Sequence, residues 1–359
     1  MRNWRSLLFA SALVILPLAA CSAPADSPEA SGDGEASASG PSGSRLQTVL
    51  DRGELVCGVE GNIPGFSFVD ESGTYSGLDV DFCKAVAAAL FDDPEAVAYR
   101  NLDSTERFTA LSGGEVDMLS RNTTWTTSRD TSVGLEFAPT TFYDGQGMMV
   151  LADSGIADLE DFAGKSVCVE TGTTTELNLT DQMRDRGIED YEPLAYQDSN
   201  ATYAAYAEGR CEGVTSDKSQ LLARRSTLPN ADDHIILEVT MSKEPLGPVT
   251  INNDSTWFDV VKWVTYATIE AEELGIDSSN VDSMLESENP NIRRFLGVEG
   301  ELGEGLGLSN DFAYRVIAAV GNYGEIYERN LGQDSQFGLD RGLNASWEDG
   351  GLLYSPPFR

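Results

Sequence analysis

The side chains best placed for chemistry in this sequence suit ion recognition better than bond making. The polar run Thr171-Gly172-Thr173-Thr174-Thr175 opens a helix at Glu176. Free backbone N–H groups and the helix dipole at such a start favour an anion, although hydroxyl-rich caps also serve purely structural ends. Arg129 carries a planar guanidinium that matches a carboxylate with two parallel hydrogen bonds. Its competing role is a surface ion pair with Asp130 or Glu136. Asp217 follows the strand pattern Gly213 to Ser216 and offers its carboxylate either to a cation or, as an N-cap, to the helix starting near Lys218. Glu170 stands just before the threonine loop, while Arg107 has Glu106 and Asp103 as alternative partners. With a single histidine, His234, and no Cys-x-x-Cys spacing, neither a metal nor a cofactor is expected.

These residues sit in a chain that reads as exported. Arg2 and Arg5 precede an apolar run, Leu7 to Leu18, and Ala19-Ala20-Cys21 ends it. This is the three-part layout of a secretory signal over residues 1–20, too short for a membrane span. The segment Leu18-Ala19-Ala20-Cys21 also resembles the bacterial lipobox, in which the cysteine becomes a lipidated N-terminus. The alternatives are an ordinary signal with a stray cysteine and a short uncleaved anchor. Residues 22–44 are almost all Ser, Ala, Gly and Pro with no large apolar side chain, the composition of a disordered tether. Outside the cytoplasm the remaining cysteines, Cys57, Cys83, Cys168 and Cys211, are expected as disulfides. Of the three possible pairings, Cys57–Cys83 and Cys168–Cys211 keep one bridge in each half of the body. The net charge of −35 excludes nucleic acid and an anionic lipid surface as partners.

The elements that must position the charged groups form two similar series. Leu46 to Glu54 reads as a short helix stopped by Gly53, Leu55 to Val59 as a buried strand, and Phe66 to Val69 as a second strand. Apolar residues at helical spacing run from Asp79 to Phe91; a helix from Phe108 and a strand from Val116 to Leu119 follow. The pattern restarts with the strand Ser166 to Val169, the threonine loop and its helix, a helix from Tyr203 to Glu208, and the strand Gly213 to Thr215. Alternating strands and helices predict α/β units with largely parallel sheets. The Gly/Pro-rich segments 143–147 and 243–248 read as two crossings between lobes. The first lobe is then discontinuous, 45–143 plus 248–359, the second covers 148–242, and the crossings act as hinges.

Several long segments carry a resemblance to a known family. They include Gly77-Leu78-Asp79-Val80-Asp81-Phe82-Cys83, Leu119 to Asp130 (LSRNTTWTTSRD), Thr171 to Leu179, Ile269 to Gly275, Gly321 to Arg329, and Arg341-Gly342-Leu343-Asn344. In this order they resemble the general L-amino-acid-binding subfamily of ABC-transporter solute-binding proteins. The resemblance implies the type II periplasmic-binding-protein fold, with two lobes, two mixed or parallel sheets flanked by helices, and a two-crossover hinge. A helical C-terminal part is elongated in this subfamily. It further implies a polar, acidic or broader range of L-amino acids (glutamate, glutamine, aspartate, asparagine) as ligands, and the permease subunits as partners.

By the same resemblance, Arg129 takes the ligand carboxylate, with Asn122 and Thr124 lining the same loop. Thr173, Thr174 and Thr175 also face the carboxylate, with Glu170 beside them, and Asp217 accepts the ammonium. From side-chain chemistry alone, Arg121 and Arg107 are candidates for a ligand side-chain carboxylate, and Trp125, whose competing role is core packing, for contact with the ligand stem. The rival readings are a cyclohexadienyl or prephenate dehydratase on the same fold, which needs a cleft carboxyl as general acid, and a sensory receptor module.

Overall fold

Two five-stranded sheets divide the molecule. In the first, the strands run in the order Val97–Asn101, Leu55–Val59, Met118–Leu119, Val249–Ile251, Leu135–Phe137. In the second the order is Glu192–Tyr196, Ser166–Glu170, Gly213–Asp217, Gln146–Leu151, His234–Ile236. Each has a parallel centre: Leu55–Val59 runs parallel to both of its neighbours, as does Ser166–Glu170. In each, a returning strand is antiparallel to those beside it, Val249–Ile251 in the first sheet and Gln146–Leu151 in the second. This computed structural model describes residues 43–359. The signal segment, Cys21 and nearly all of the tether lie outside the described residues.

The central strands are apolar on both faces, as buried parallel strands must be: Leu55, Cys57, Val59, Val167, Cys168 and Val169 are fully buried. The helix Leu78–Phe91 departs from the one-sided burial its periodicity predicts. It is buried nearly all round, from Leu78 to Ala89. The cause lies in the C-terminal part, where the helices Ser255–Glu273, Phe312–Val320 and Tyr323–Asn330 share one apolar core with it. Trp257 anchors that core and donates its indole N–H to the Asp117 carbonyl at 2.8 Å. The second sheet has apolar clusters of its own.

The disulfides pair as expected, Cys57 with Cys83 and Cys168 with Cys211, across sequence separations of 26 and 43 residues. Loops of this length place their stabilisation at about 3–4 kcal/mol each in the chain-entropy model. One ties the strand Leu55–Val59 to the helix Leu78–Phe91, the other the strand Ser166–Glu170 to the turn before Gly213–Asp217. Among the described residues no helix is long and apolar enough to cross a membrane.

The chain passes from the first sheet to the second through Phe142–Asp144 and returns through Glu244–Leu246. These two short strands pair antiparallel as a ribbon of their own, with Asp144 opposite Glu244 and Tyr143 opposite Pro245.

Candidate functional site

The carboxyl ends of the parallel strands in both sheets face one cleft, the position at which open α/β sheets bind ligands. Glu60 follows Leu55–Val59, Ser104 follows Val97–Asn101, and the loop 120–124 follows Met118–Leu119. From the other sheet come the end of Ser166–Glu170 with its threonine loop, and the end of Gly213–Asp217.

The loop 120–124 is shaped from beneath by Asp79. One oxygen accepts the Asn122 backbone N–H at 3.1 Å and the other accepts the Ser120 hydroxyl at 3.3 Å. Burial pushes the Asp79 carboxyl up to about 7. Gly77 makes that approach possible: its φ is +127°, and a Cβ there would stand 2.1 Å from the Phe66 carbonyl oxygen. Asn122 takes φ +40°, a left-handed conformation that asparagine tolerates better than most residues. Its side-chain oxygen and nitrogen are both buried without partners. Buried polar atoms are normally paired, which marks this amide as a candidate ligand contact.

Three arginines stand on this side. Arg129, at the start of the turn Arg129–Val133, donates to the Thr124 carbonyl at 2.8 Å and lies 5.2 Å from the Phe108 ring. It is buried, which lowers its pKa to about 10 against the pull of Glu244 and Asp217. The surface pair with Asp130 does not form; Asp130 accepts the Trp125 indole N–H at 2.8 Å instead. Arg107 sits 4.8 Å from the same Phe108 ring and reaches Thr123 at 3.4 Å. Burial, with Arg121 and Arg129 close by, holds it well below the ordinary guanidinium range. Asp103 caps Thr105 and Glu106 rather than pairing with Arg107. Arg121 donates to the Leu102 carbonyl at 3.0 Å and stands 3.6 Å from Glu170 across the cleft.

On the opposite side Thr173 caps the helix Thr174–Asp185, accepting the Glu176 N–H at 3.1 Å and donating to the Glu170 carbonyl at 2.7 Å. Thr175 lies 2.9 Å from Thr173. The Thr174 hydroxyl donates to Glu244 at 2.9 Å and is 3.3 Å from that of Thr124. Glu170 accepts the Ser104 hydroxyl at 2.5 Å, a further bond between the two sides.

Asp217 occupies the N-cap position of the helix Lys218–Arg225 but makes no capping bond. Asp144 of the ribbon does so in its place, accepting the Ser219 N–H at 3.2 Å and the Ser219 hydroxyl. Asp217 is left buried with one oxygen unpartnered. Burial, reinforced by the charges of Asp144 and Glu244, pushes its carboxyl well above the ordinary range, against the pull of Arg129 and Arg107.

These groups enclose a cavity of about 20 Å³, on a scale where one water needs ~10–15 Å³. A larger ligand therefore enters only if the two sides separate. Of the residues expected from the sequence, Arg107, Arg121, Asn122, Thr124, Glu170, Thr173, Thr174, Thr175 and Asp217 line it. Arg129 stands behind Thr124. Trp125 falls outside the cavity wall: it stacks on Phe137 at 5.9 Å and is 45% exposed. Ser104, Ser216 and Gln220 line the cavity without having been anticipated. Glu60, raised chiefly by burial and facing Arg121, Glu170 and Arg224, also went unread. Their signal was positional, since each lies near or within three residues beyond the carboxyl end of a parallel strand.

The family model for bacterial extracellular solute-binding proteins, family 3, matches residues 55–293. The chain is 50% identical over 324 residues to the general L-amino acid-binding periplasmic protein AapJ of Rhizobium johnstonii, covering 90% of this chain and 95% of that protein. It is 48% identical to the glutamate/glutamine/aspartate/asparagine-binding protein BztA of Rhodobacter capsulatus, covering 89% and 94%. A solved periplasmic binding protein from Brucella ovis, with glutathione bound, superposes with a TM-score of 0.86 at 47% identity, covering 88% of this chain and 99% of that one. These relatives are named as binding proteins, not dehydratases, and the enzyme reading is dropped on that ground. The chain belongs to the bacterial extracellular solute-binding proteins, family 3, as an exported binding protein and not an enzyme.

Proposed function

We propose that this chain captures L-amino acids, glutamate, glutamine, aspartate and asparagine among them, and delivers them to the membrane subunits of an ABC importer. The observation that carries this reading is the opposition of buried charges around one small cavity. Arg107 and the first turn of Thr174–Asp185 at the cavity, with Arg129 behind Thr124, are assigned the ligand carboxylate, and the unpartnered oxygen of Asp217 the ammonium. A zwitterion satisfies both at once. Asn122, Thr124, Thr173 and Thr175 supply the remaining hydrogen bonds, and Arg121 with Glu170 meets the side chain.

The two sides move as lobes, residues 45–143 plus 248–359 against 148–242, about hinges at 143–147 and 243–248. A ligand that touches both lobes binds the closed form better and shifts the population toward it. The closed form then docks on the permease. A lipid on Cys21 and the tether 22–44 keep the protein beside that permease.

The test is calorimetric titration with each of the twenty amino acids; binding by none of them sinks the reading. A second ligand class, glutathione, is favoured by the Brucella ovis relative and by the buried charges of Glu60 and Arg224 flanking Arg121. The same titration with glutathione decides it. Fatty-acid labelling of the protein, compared with Cys21→Ser, tests the anchor: equal labelling of both would remove it.

A further inference from the structure

The ribbon joining the two sheets carries two acids in register, Asp144 and Glu244. An antiparallel pair of like charges is unfavourable, and Glu244 is only 1% exposed, so the pairing calls for an explanation. Both carboxylates are spent on the second sheet's helices. Glu244 accepts the Thr174 hydroxyl at 2.9 Å and the Asn178 side-chain amide at 2.8 Å, both from the first two turns of Thr174–Asp185, and also the Ser242 hydroxyl. Asp144 accepts the Gly145 N–H at 2.7 Å and both donors of Ser219 in the first turn of Lys218–Arg225. Those two turns present Thr174 and Asp217, the groups assigned above to the two ends of the ligand.

We propose that Asp144 and Glu244 are positioning residues for ligand capture, each holding from the ribbon the helix start that presents one ligand-binding group. This inference rests on the ligand reading above. Glu244 sets where the Thr174 hydroxyl stands when it meets Thr124 of the other lobe. Asp144 takes over the capping of Lys218–Arg225, which releases Asp217 from that duty and leaves its oxygen for an ammonium. The placement has an electrostatic consequence. Three carboxylates, Asp144, Glu244 and Asp217, act on one another, with Arg129 and Arg107 facing Asp217 and Tyr327 near Asp144, its hydroxyl donating to the Asp340 carbonyl. Lys218 does not join them; its ammonium donates to the Glu238 backbone carbonyl and the Thr240 hydroxyl. An incoming ammonium relieves this crowding, so binding releases protons and tightens as pH rises.

The experiment uses the full chain, with L-glutamate, L-glutamine and glutathione as probes. Titrations of wild type, Glu244→Gln, Asp144→Asn and Asn178→Ala are run from pH 5 to pH 8. Glu244→Gln cannot accept from both Thr174 and Asn178 and should weaken binding about tenfold, the loss of one charge-assisted bond. Asn178 lies outside the cavity wall, and Asn178→Ala should still cost about 2- to 10-fold, one neutral hydrogen bond. Asp144→Asn should move the pH midpoint of binding to lower pH, because Asp217 loses a repelling neighbour. A merely structural role leaves that midpoint in place. Wild-type affinity and pH profile in all three variants overturn the inference while the ligand reading stands. A wild type that binds none of the probes and none of the other amino acids overturns both.

Discussion

Replacing Asp217 by asparagine keeps its shape and removes its charge, and the structure predicts opposite effects on binding and on stability. In the ligand-free protein the Asp217 carboxylate is a cost: it is buried, one oxygen lacks a partner, and Asp144 and Glu244 repel it. Because its folded pKa lies above the ordinary value of 3.8, the folded protein holds a proton there that the unfolded chain gives up. Stability from this group is therefore full below about pH 4 and is lost as pH rises through the raised value. Asparagine, never ionised, escapes that loss. Asp217→Asn should melt at the same temperature as wild type or higher at pH 7. Binding moves the other way. A hydrogen bond from an ammonium to a carboxylate is worth about 1.5–3 kcal/mol, so affinity should fall roughly 10- to 150-fold. Scanning fluorimetry without ligand and calorimetry with L-glutamate or L-glutamine at pH 7 measure the two effects. If the variant binds like wild type, or is destabilised by 1 kcal/mol or more without ligand, the assignment of Asp217 to the ligand ammonium is wrong.

Other perturbations separate the remaining roles. Arg129→Ala should lower affinity by at least thirtyfold, since truncating one member of a buried charge pair costs about 2–5 kcal/mol; unchanged affinity in calorimetry removes it from the site. Gly77→Ala places a methyl against the Phe66 carbonyl at positive φ and should destabilise by more than ~1 kcal/mol, visible as a shifted denaturation midpoint. Replacing Cys168 and Cys211 together by serine should cost about 4 kcal/mol in the same assay, the entropy of the 43-residue separation they close. The ligand-free protein should lose stability from pH 5 to pH 8, because Asp144 near 6 and Asp79 near 7 keep protons that the unfolded chain has shed. Each group contributes about 1.4 kcal/mol per pH unit inside its window, and Asp79→Asn should flatten the slope; a slope unchanged in that variant refutes the assignment.

Much of this architecture was legible in the chain because its signals are local. Buried strands such as Leu55–Val59 and Ser166–Glu170 are apolar runs, their helices have clear starts, and the two series repeat in order. What failed to show were arrangements set by distant partners. Leu78–Phe91 has an apolar side, yet its burial nearly all round depends on distant helices lying between Ser255 and Asn330. Trp125 has the chemistry of a ligand platform, but its indole is claimed by Asp130 and Phe137. Asp217 stands where a capping residue should, and only a carboxylate from the ribbon frees it.

The ribbon itself explains why its acids went unread. Tyr143-Asp144-Gly145 and Lys243-Glu244-Pro245 each look like an ordinary turn, since glycine and proline mark a break without saying what the neighbouring side chains hold. Their meaning arises only when the two segments pair a hundred residues apart. Tyr143 then faces Pro245, which has no N–H to give, and its own N–H and carbonyl turn instead to the side chain of Asn344, at 2.6 and 3.2 Å. The Arg341-Gly342-Leu343-Asn344 segment of the elongated C-terminal part is thereby tied to the crossing itself. The ribbon thus bonds through Asp144 and Glu244 to the helices of the second sheet and through Tyr143 to the C-terminal part. Side chains there can set how the binding groups meet without ever lining the cavity, and a search confined to cavity walls passes over them.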